Sequence, residues 1–246
     1  MEEVELLRRA DDLSRRCLKK WEMTNTGFLN PAEQMLLEQR FHPSPGVILH
    51  FFGGYEGSER SVAFFLPEDE SISRPEELLH AVHYRACFGE PDHRDYLGAL
   101  LASGISRDRL GDILIDGAEA TVFCLSGICS HLLSLDRIGR ISVKAEEIPL
   151  NSVRIPHREK KSVIFTVMSL RADAVAAGMF RISRSACARY IAEGFLNLNY
   201  RICTRCDASV KEGDILSLRG HGKGLVAEIG GNSRKGRLFI RAEIYQ

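Results

Sequence analysis

The amino-acid sequence predicts a protein of the α+β class, on three observations. Apolar residues with helical spacing alternate along the 246-residue chain with short apolar runs typical of strands. Turn-forming pairs such as Asp116-Gly117 separate these runs. An apolar fraction of 44% is enough to form real cores, and a charged fraction of 27% is that of an ordinary globular protein. We therefore expect several small mixed domains.

The charge is unevenly distributed along the chain. The formal net charge is zero, which by itself argues against a nucleic-acid partner. From residue 169 to the end, however, there are 13 Lys and Arg against 7 Asp and Glu, a net charge of +6. Residues 1–168 carry 20 against 26, a net charge of −6. A basic domain attached to an acidic body suggests that one part of the protein meets a polyanion.

Residues 1–75 predict a small N-terminal α+β domain. An amphipathic helix is expected over residues 4–21, and residues 24–30 are expected to break it. Asn30-Pro31 starts a second helix, because Asn can cap and Pro is tolerated at the first helical position. Two apolar runs, 47–52 and 61–66, predict strands joined by a glycine-rich hairpin connection.

Residues 76–150 predict a second domain with the order βαββαβ. Strands are expected at 78–86, 112–115, 120–125 and 138–146, and helices at 93–102 and 126–135. This order is the ferredoxin-like, RRM-like plan that many RNA-binding sheets use. Such sheets display stacking aromatics, for which only Phe123 and Tyr84 are candidates, and a buried Phe is the favoured interpretation. Asp92 is interpreted as a helix cap before His93-Arg94-Asp95.

The last part of the chain predicts a basic α+β domain over residues 168–246, after a linker and lead-in strand over residues 151–167. Leu170–Gly178 predicts a short helix, and Ser183 is a suitable cap for a second helix. Strands are expected at 195–198, from 202, at 215–219, 225–229 and 238–244, with a glycine-rich turn at 220–224.

This C-terminal stretch resembles the RNA-binding domain of small-subunit ribosomal protein S-four, the alpha-L motif. The matching segments occur in the family's order and spacing: Leu170-Arg171-Ala172-Asp173, Ile182 to Ile191, Gly194, Asn197-Leu198-Asn199 and Val210 to Asp214. Ala172 stands where this domain usually has Leu, and Tyr200 where many relatives have Gly. The resemblance implies an RNA-binding domain.

Other segments resemble the bacterial YlmH family, so that the likeness spans essentially the whole chain. They are Phe28 to Gln34, Tyr96 to Ile105, Arg109 to Leu114, Gly139 to Lys144 and Ser233 to Arg237. The resemblance implies a non-catalytic, ribosome-associated protein that binds rRNA, with a role in ribosome quality control through the rescue of stalled large subunits that hold tRNA. It also implies a link to cell division.

The candidate RNA-binding residues lie in the basic domain. A helix start with flanking arginines forms a phosphate site, and Arg is well shaped for bidentate phosphate contact. Around this helix start and on nearby turns and strand ends we select Arg171, Arg181, Ser183, Arg184, Arg189, Arg219, Lys223, Arg234, Lys235 and Arg237. Arg158, Lys160 and Lys161 are interpreted as solubilising charges of the linker.

No residue pattern points to a catalytic, metal or cofactor site. Cys203 and Cys206 form a single C-x-x-C without a second pair, so free thiols are favoured over zinc, and Cys124 and Cys129 are interpreted as core thiols. Neither a targeting segment nor a membrane-spanning run is visible, and a cytoplasmic monomer that binds RNA and the large ribosomal subunit is expected. The alternatives are an RNA-modifying enzyme whose basic domain captures RNA, and a scaffold protein linked to cell division.

Overall fold

A computed structural model describes residues 3–68, 74–156, 160–232 and 236–245 of the chain. The chain divides into two compact units, Met1–Pro156 and His157–Gln246. The helices are α1 Glu3–Lys20, α2 Pro31–Arg40, α3 His93–Ala102, α4 Ser126–Leu133, α5 Ala172–Phe180 and α6 Arg184–Ala192. No helix in these described ranges has the length and apolarity needed to cross a membrane.

The strands are short, as expected. In the first unit they are β1 Thr24–Leu29, β2 Val47–Phe52, β3 Ser61–Pro67, β4 Leu79–Ala86, β5 Leu110–Asp116, β6 Glu119–Leu125, β7 Arg137–Ile138 and β8 Ile141–Ile148. In the second unit they are β9 Lys160–Val167, β10 Leu196–Leu198, β11 Arg201–Ile202, β12 Ile215–Leu218, β13 Gly222–Asn232 and β14 Leu238–Tyr245. The observed class is α+β with antiparallel sheets.

An antiparallel sheet in the order β1-β3-β2 packs under α1 and α2. The capping prediction for α2 is confirmed: the Glu33 amide donates to the Asn30 side chain, and the Asn30 amide donates to the Glu33 carboxylate. Helix α1 buries Leu6, Ala10 and Cys17, which lie on one face at helical spacing.

Strand β1 was not predicted, because residues 24–30 were expected only to end the first helix. The strand is polar in sequence, and its pairing with β3 contains a bulge between Asn25 and Phe28. At this bulge the Thr26 hydroxyl accepts from the Ala63 amide at 3.0 Å and donates to the Gly27 carbonyl at 2.7 Å. A side chain thus replaces part of the backbone ladder, which explains a polar residue in a buried strand.

A second antiparallel sheet in the same unit has the order β5-β6-β4-β8-β7. Helices α3 and α4 cover one face, over a core that includes Tyr84, Tyr96, Val122 and Leu132. Asp92 caps α3 through the amides of Arg94 and Asp95, as predicted. The single strand expected over residues 138–146 is instead β7 and β8, which are separated by a turn at Gly139 with φ of 58°.

The two sheets of the first unit share a core. Phe28 and Phe64 of the first sheet pack with Ala81 and Phe123 on the face of the second sheet that the helices leave open. The domain boundary expected near residue 75 therefore lies inside one compact unit.

The second unit is built on an antiparallel sheet in the order β11-β10-β12-β13-β14-β9, with α5 and α6 on one face. Strand β9 pairs with β14 along its whole length, so the strand expected to lead into this domain is an edge of its sheet. Helix α5 approaches β9 closely at Gly178, where a Cβ atom would lie 2.2 Å from the Phe165 ring. The two helices and the sheet together position the basic side chains of this unit.

Candidate nucleic-acid interface

A tight turn joins α5 to α6 and places the start of α6 at the surface. Arg181 ends α5 with φ of 55°, a left-handed conformation, and the Ile182 amide donates to the Ala177 carbonyl. Ser183 then caps α6, because its hydroxyl oxygen accepts from the Ala186 amide at 3.1 Å. The predicted cap is confirmed, and the first turn of this nine-residue helix supplies backbone N–H groups that favour an anion.

Two of the predicted arginines are held by one buried carboxylate. Asp173 has a side chain only 8% exposed, and it accepts from Arg171 Nε at 3.1 Å and from Arg184 Nη2 at 2.7 Å. Both arginines remain largely solvent-accessible. Burial alone would raise the pKa of this carboxyl, but the hydrogen bonds and charges of the two arginines outweigh burial and lower it. We name Arg171, Asp173 and Arg184 the Asp173 cluster.

A second group of basic and aromatic side chains lies at the other end of α6. The Arg189 guanidinium is 5.7 Å from the Tyr190 ring, and the Tyr190 ring meets the edge of His221 at 5.4 Å between centroids. Arg219 lies over the Phe195 ring at 5.1 Å. We name these five residues the turn cluster. Cationic groups over aromatic faces are typical of surfaces that contact phosphates and bases.

The turn cluster forms because the β12–β13 turn reaches α6. Residues 219–221 make this turn, and the Arg219 amide donates to the Phe195 carbonyl at 3.1 Å. His221 follows and contacts Tyr190. Thus two residues from α6, one from the segment before β10 and two from the turn are brought together, although the three segments are separate in sequence.

Two lysines continue the basic surface along the strand ends. Lys223 Nζ is 4.9 Å from the Tyr200 ring centroid and 5.3 Å from that of Tyr245. Lys160 Nζ is 5.4 Å from the same Tyr245 ring and 3.2 Å from a Glu243 carboxylate oxygen. Lys160, assigned to the linker from sequence, is therefore part of a strand and adjoins a predicted RNA-binding residue.

The remaining predicted residues lie elsewhere. Arg237 donates to the Thr166 carbonyl at 3.0 Å, and the β9–β14 register places it at the opposite end of these strands from Tyr245. Arg234 and Lys235 lie outside the described residues. Among the described residues of the predicted set, Arg181 and Ser183 form the turn between α5 and α6, and Arg237 is separate. The others are divided between the Asp173 cluster and the turn cluster with Lys223.

Sequence reasoning selected the basic residues of this surface but not the residues that organise it. Asp173 was quoted only as part of a motif, and its burial between two arginines arises from packing. The aromatic partners Tyr190, Phe195 and Tyr245 were not selected either. The aromatic residue directly after Arg189 was an available signal, since aromatic rings and Arg side chains together contact bases and phosphates.

The first unit does not present the two aromatics proposed for base stacking. Tyr84 and Phe123 are both fully buried. The Tyr84 hydroxyl donates to the Leu132 carbonyl at 2.8 Å, and the Phe123 ring stacks on Tyr55 at 5.0 Å. The interpretation of Phe123 as a core residue is confirmed.

The face of the second sheet opposite α3 and α4 carries a polar cavity of about 370 Å³. Its lining includes His83, Arg85, Glu119, Thr121, Glu146 and Arg154. Glu119 accepts from Arg85 Nε at 2.9 Å, and this hydrogen bond lowers the pKa of the Glu119 carboxyl.

The chain has recognisable relatives. Residues 76–152 match the family model described as "Putative RNA-binding domain in YlmH". Over 228 residues the chain is 32% identical to "Ribosome-associated protein quality control protein P2" of Bacillus subtilis (strain 168), which covers 92% of this chain and 88% of that protein. The fold is similar to the solved structure of "Cell division protein ylmH from Streptococcus pneumoniae", with a TM-score of 0.53 at 20% identity over 63% of this chain and 96% of that one. On the extent of these matches, the chain belongs to the YlmH family.

Proposed function

We propose that this protein is a non-catalytic RNA-binding factor that associates with the ribosome. The observation that carries the proposal is the surface of the second unit, where the Asp173 cluster, the turn cluster and Lys223 present arginines, a lysine and aromatic rings. This surface matches the chemistry of an RNA chain, which offers phosphates to cations and base faces to aromatic rings. The family's RNA-binding and ribosome-associated descriptions support the same reading.

The finer fold assignments belong to this proposal. We assign residues 168–246 to the alpha-L type, on the quoted motif and on the two helices joined at Ser183. We assign residues 76–150 to the ferredoxin-like type, since β4 and β6 are the central strands of a sheet flanked by β5 and β8. Residues 1–75 then form the N-terminal part of the first compact unit, and β9, which was predicted as a lead-in strand, belongs to the sheet of the basic domain.

The proposed partner is RNA of the large ribosomal subunit, with tRNA as a second contact on stalled subunits. The quality-control name of the B. subtilis relative motivates this choice. The protein would act as a cytoplasmic monomer, and phosphate contacts would position it on the RNA without reading a base sequence.

The polar cavity of the first unit is the place where an enzymatic alternative would have to operate. Its Glu119 carboxylate is held ionised by Arg85, which suits an ion pair better than proton transfer. Asp116, Glu119 and Glu146 line the cavity together with Arg85 and Arg154, so the cavity offers no excess of positive charge to a phosphate. We therefore assign neither proton-transfer catalysis nor RNA contact to this cavity.

Co-sedimentation with separated ribosomal subunits at low and moderate salt tests the proposal. The protein is expected to move with the large subunit and to dissociate steeply as salt rises, because cation–phosphate contacts release counterions. A variant with Arg189→Glu and Arg219→Glu should stay at the top of the gradient. These two positions are preferred to Arg184, where Glu would face Asp173 and disturb the fold.

The matched control is Arg15→Glu with Arg16→Glu on the exposed side of α1, which makes the same change in net charge. It should sediment like the unchanged protein. If both double variants lose binding equally, net charge rather than this surface governs the association. If the unchanged protein remains at the top at both salt concentrations, ribosome association is wrong.

A further inference from the structure

A histidine, a cysteine and a glutamate converge at one edge of the first unit. In the β4–β6–β8 register His80 faces Cys124, and Glu147 faces Val82, so these side chains lie on the helix-covered side of the sheet. Cys129, which lies on α4, is close to both side chains. Three different elements therefore supply the three groups, which are 49 and 18 residues apart in sequence.

The three groups already lie close together. His80 Nδ1 lies 2.5 Å from Glu147 Oε1, and one ligand atom from each of the three residues lies within 4.8 Å of the others. Cys129 and Cys124 are both buried in the core that α4 covers. Cys129 is 6% exposed, whereas His80 and Glu147 reach the surface.

We propose that His80, Cys129 and Glu147 form a binding site for a divalent transition-metal ion of the zinc class, with its fourth position open to solvent. The opening is a cavity of about 720 Å³ whose lining includes His80, Glu147, Glu76 and Glu77. This site is independent of the RNA-binding surface of the second unit.

The types of ligand atom in the site indicate which ion it would bind. Thiolate, imidazole and carboxylate together suit Zn²⁺, whereas Mg²⁺ and Ca²⁺ prefer oxygen ligands throughout. Donors on one tetrahedral zinc ion lie roughly 3.4 to 3.6 Å apart, given the usual bond lengths. The His80–Glu147 pair must therefore open by about 1 Å, and Cys129 must move toward the pair by a comparable amount. Rotation of the partly exposed His80 and the exposed Glu147 side chains separates this pair, and rotation of Cys129 about its Cα–Cβ bond moves the sulfur toward them.

Metal binding would change the protonation of the site. The ligand is the Cys129 thiolate, so its thiol proton must leave, and affinity is expected to fall as pH falls. Burial raises the pKa of this thiol, which makes the proton harder to remove in the absence of an ion. Cys124 lies in the same buried core as Cys129 and would pack beside the sulfur as an outer partner.

The test uses the full-length protein, stripped with a chelator and then titrated with Zn²⁺ in competition with a chromophoric chelator. One equivalent is expected to bind, and Co²⁺ in its place should give a thiolate-to-metal absorption band. Cys129→Ser should remove that band, and both Cys129→Ser and His80→Gln should weaken zinc affinity at least tenfold. Zinc should also raise the melting temperature of the unchanged protein but not of either variant, which separates lost binding from lost folding.

The control is the double change Cys203→Ser with Cys206→Ser, which removes the C-x-x-C pair of the second unit and should leave zinc binding unchanged. Loss of binding in this control alone would move the site to the C-x-x-C pair and overturn the proposal. So would the absence of bound zinc in the unchanged protein, or zinc binding that Cys129→Ser and His80→Gln do not alter.

Discussion

Asp173 on α5 accepts a hydrogen bond from Arg184 on α6 at 2.7 Å, across the turn that joins the two helices. The same carboxylate accepts from Arg171, which directly precedes α5. A buried negative charge therefore holds two exposed positive charges beside the start of α6. The contact fixes where the guanidinium groups point, and it lowers the conformational entropy they would lose on meeting a phosphate.

Asp173→Asn should weaken RNA binding even though it removes a negative charge. Net electrostatics alone would predict tighter binding to RNA, since the second unit becomes more basic. If the orientation of Arg171 and Arg184 governs the contact, affinity should instead fall by about three- to tenfold. Fluorescence anisotropy with a labelled rRNA fragment, at constant salt, measures the difference.

The control for this prediction is Glu228→Gln, which makes the same charge change at an exposed pair with Arg241. It should leave affinity the same or slightly higher. An affinity increase in both variants would show that Asp173 does not position the arginines for RNA.

The stability of the protein should depend on the ionisation of Asp173. The pKa of this carboxyl is lowered in the folded state from an ordinary value of 3.8. Its stabilising contribution is thus fully present above about pH 4 and is lost as pH falls through the lower, folded-state pKa. Asp173→Asn should lower the free energy of unfolding at pH 7 by about 1–3 kcal/mol, since it replaces buried charge-assisted hydrogen bonds.

Denaturant unfolding of both proteins at pH 7 and at pH 3 checks the sign. The difference in free energy of unfolding between the unchanged protein and Asp173→Asn should shrink at pH 3, where the Asp173 carboxyl is losing its charge. A difference that is constant or larger at pH 3 would contradict the ion-pair account of Asp173.

Local chemistry explains what could be predicted from the sequence. The caps at Asn30, Asp92 and Ser183 depend on neighbouring residues, so their side-chain pattern was sufficient to place three helix starts. Strand β1 was missed because its Thr26 hydroxyl substitutes for backbone pairing, which no apolar alternation reveals.

The organisation of the interface depends on tertiary packing, which is why sequence reasoning found its charges but not its partners. Burial makes Asp173 a positioning group, and an exposed Asp at the same place would have no such role. Similarly, His221 contacts Tyr190 only because β12 and β13 return to α6. The family resemblance gave the order of the motifs, whereas the contacts among these side chains form only when the chain is folded.

Arg189 and Arg219 should each contribute to the salt dependence of RNA binding. Both lie in the turn cluster, over Tyr190 and Phe195 respectively. Replacing one phosphate-contacting Arg by Gln should reduce the slope of log affinity against log salt by about 0.7 to 0.9. Measured over a range of salt concentrations, Arg189→Gln and Arg219→Gln should each show this reduction, and the double variant about twice as much.

Arg205→Gln is a suitable control for the slope, since Arg205 pairs with Asp207 and was not selected for RNA contact. An unchanged slope in the Arg189 and Arg219 variants, with a reduced slope for Arg205→Gln, would move the interface to the C-x-x-C side of the second unit.

Two neighbouring tyrosines of the first unit should respond oppositely to loss of their hydroxyl groups. Their rings lie 5.7 Å apart in one core. The Tyr84 hydroxyl donates to the Leu132 carbonyl, whereas the buried Tyr96 hydroxyl has no hydrogen-bond partner within the described part of the chain. Tyr84→Phe should lower the free energy of unfolding by about 0.5–1.5 kcal/mol, since a hydrogen bond is lost.

Tyr96→Phe should raise the free energy of unfolding by about 1 kcal/mol, because an unpaired polar group leaves the core. Denaturant unfolding of the two variants measures both changes, and destabilisation by Tyr96→Phe would show that its hydroxyl is hydrogen-bonded in solution.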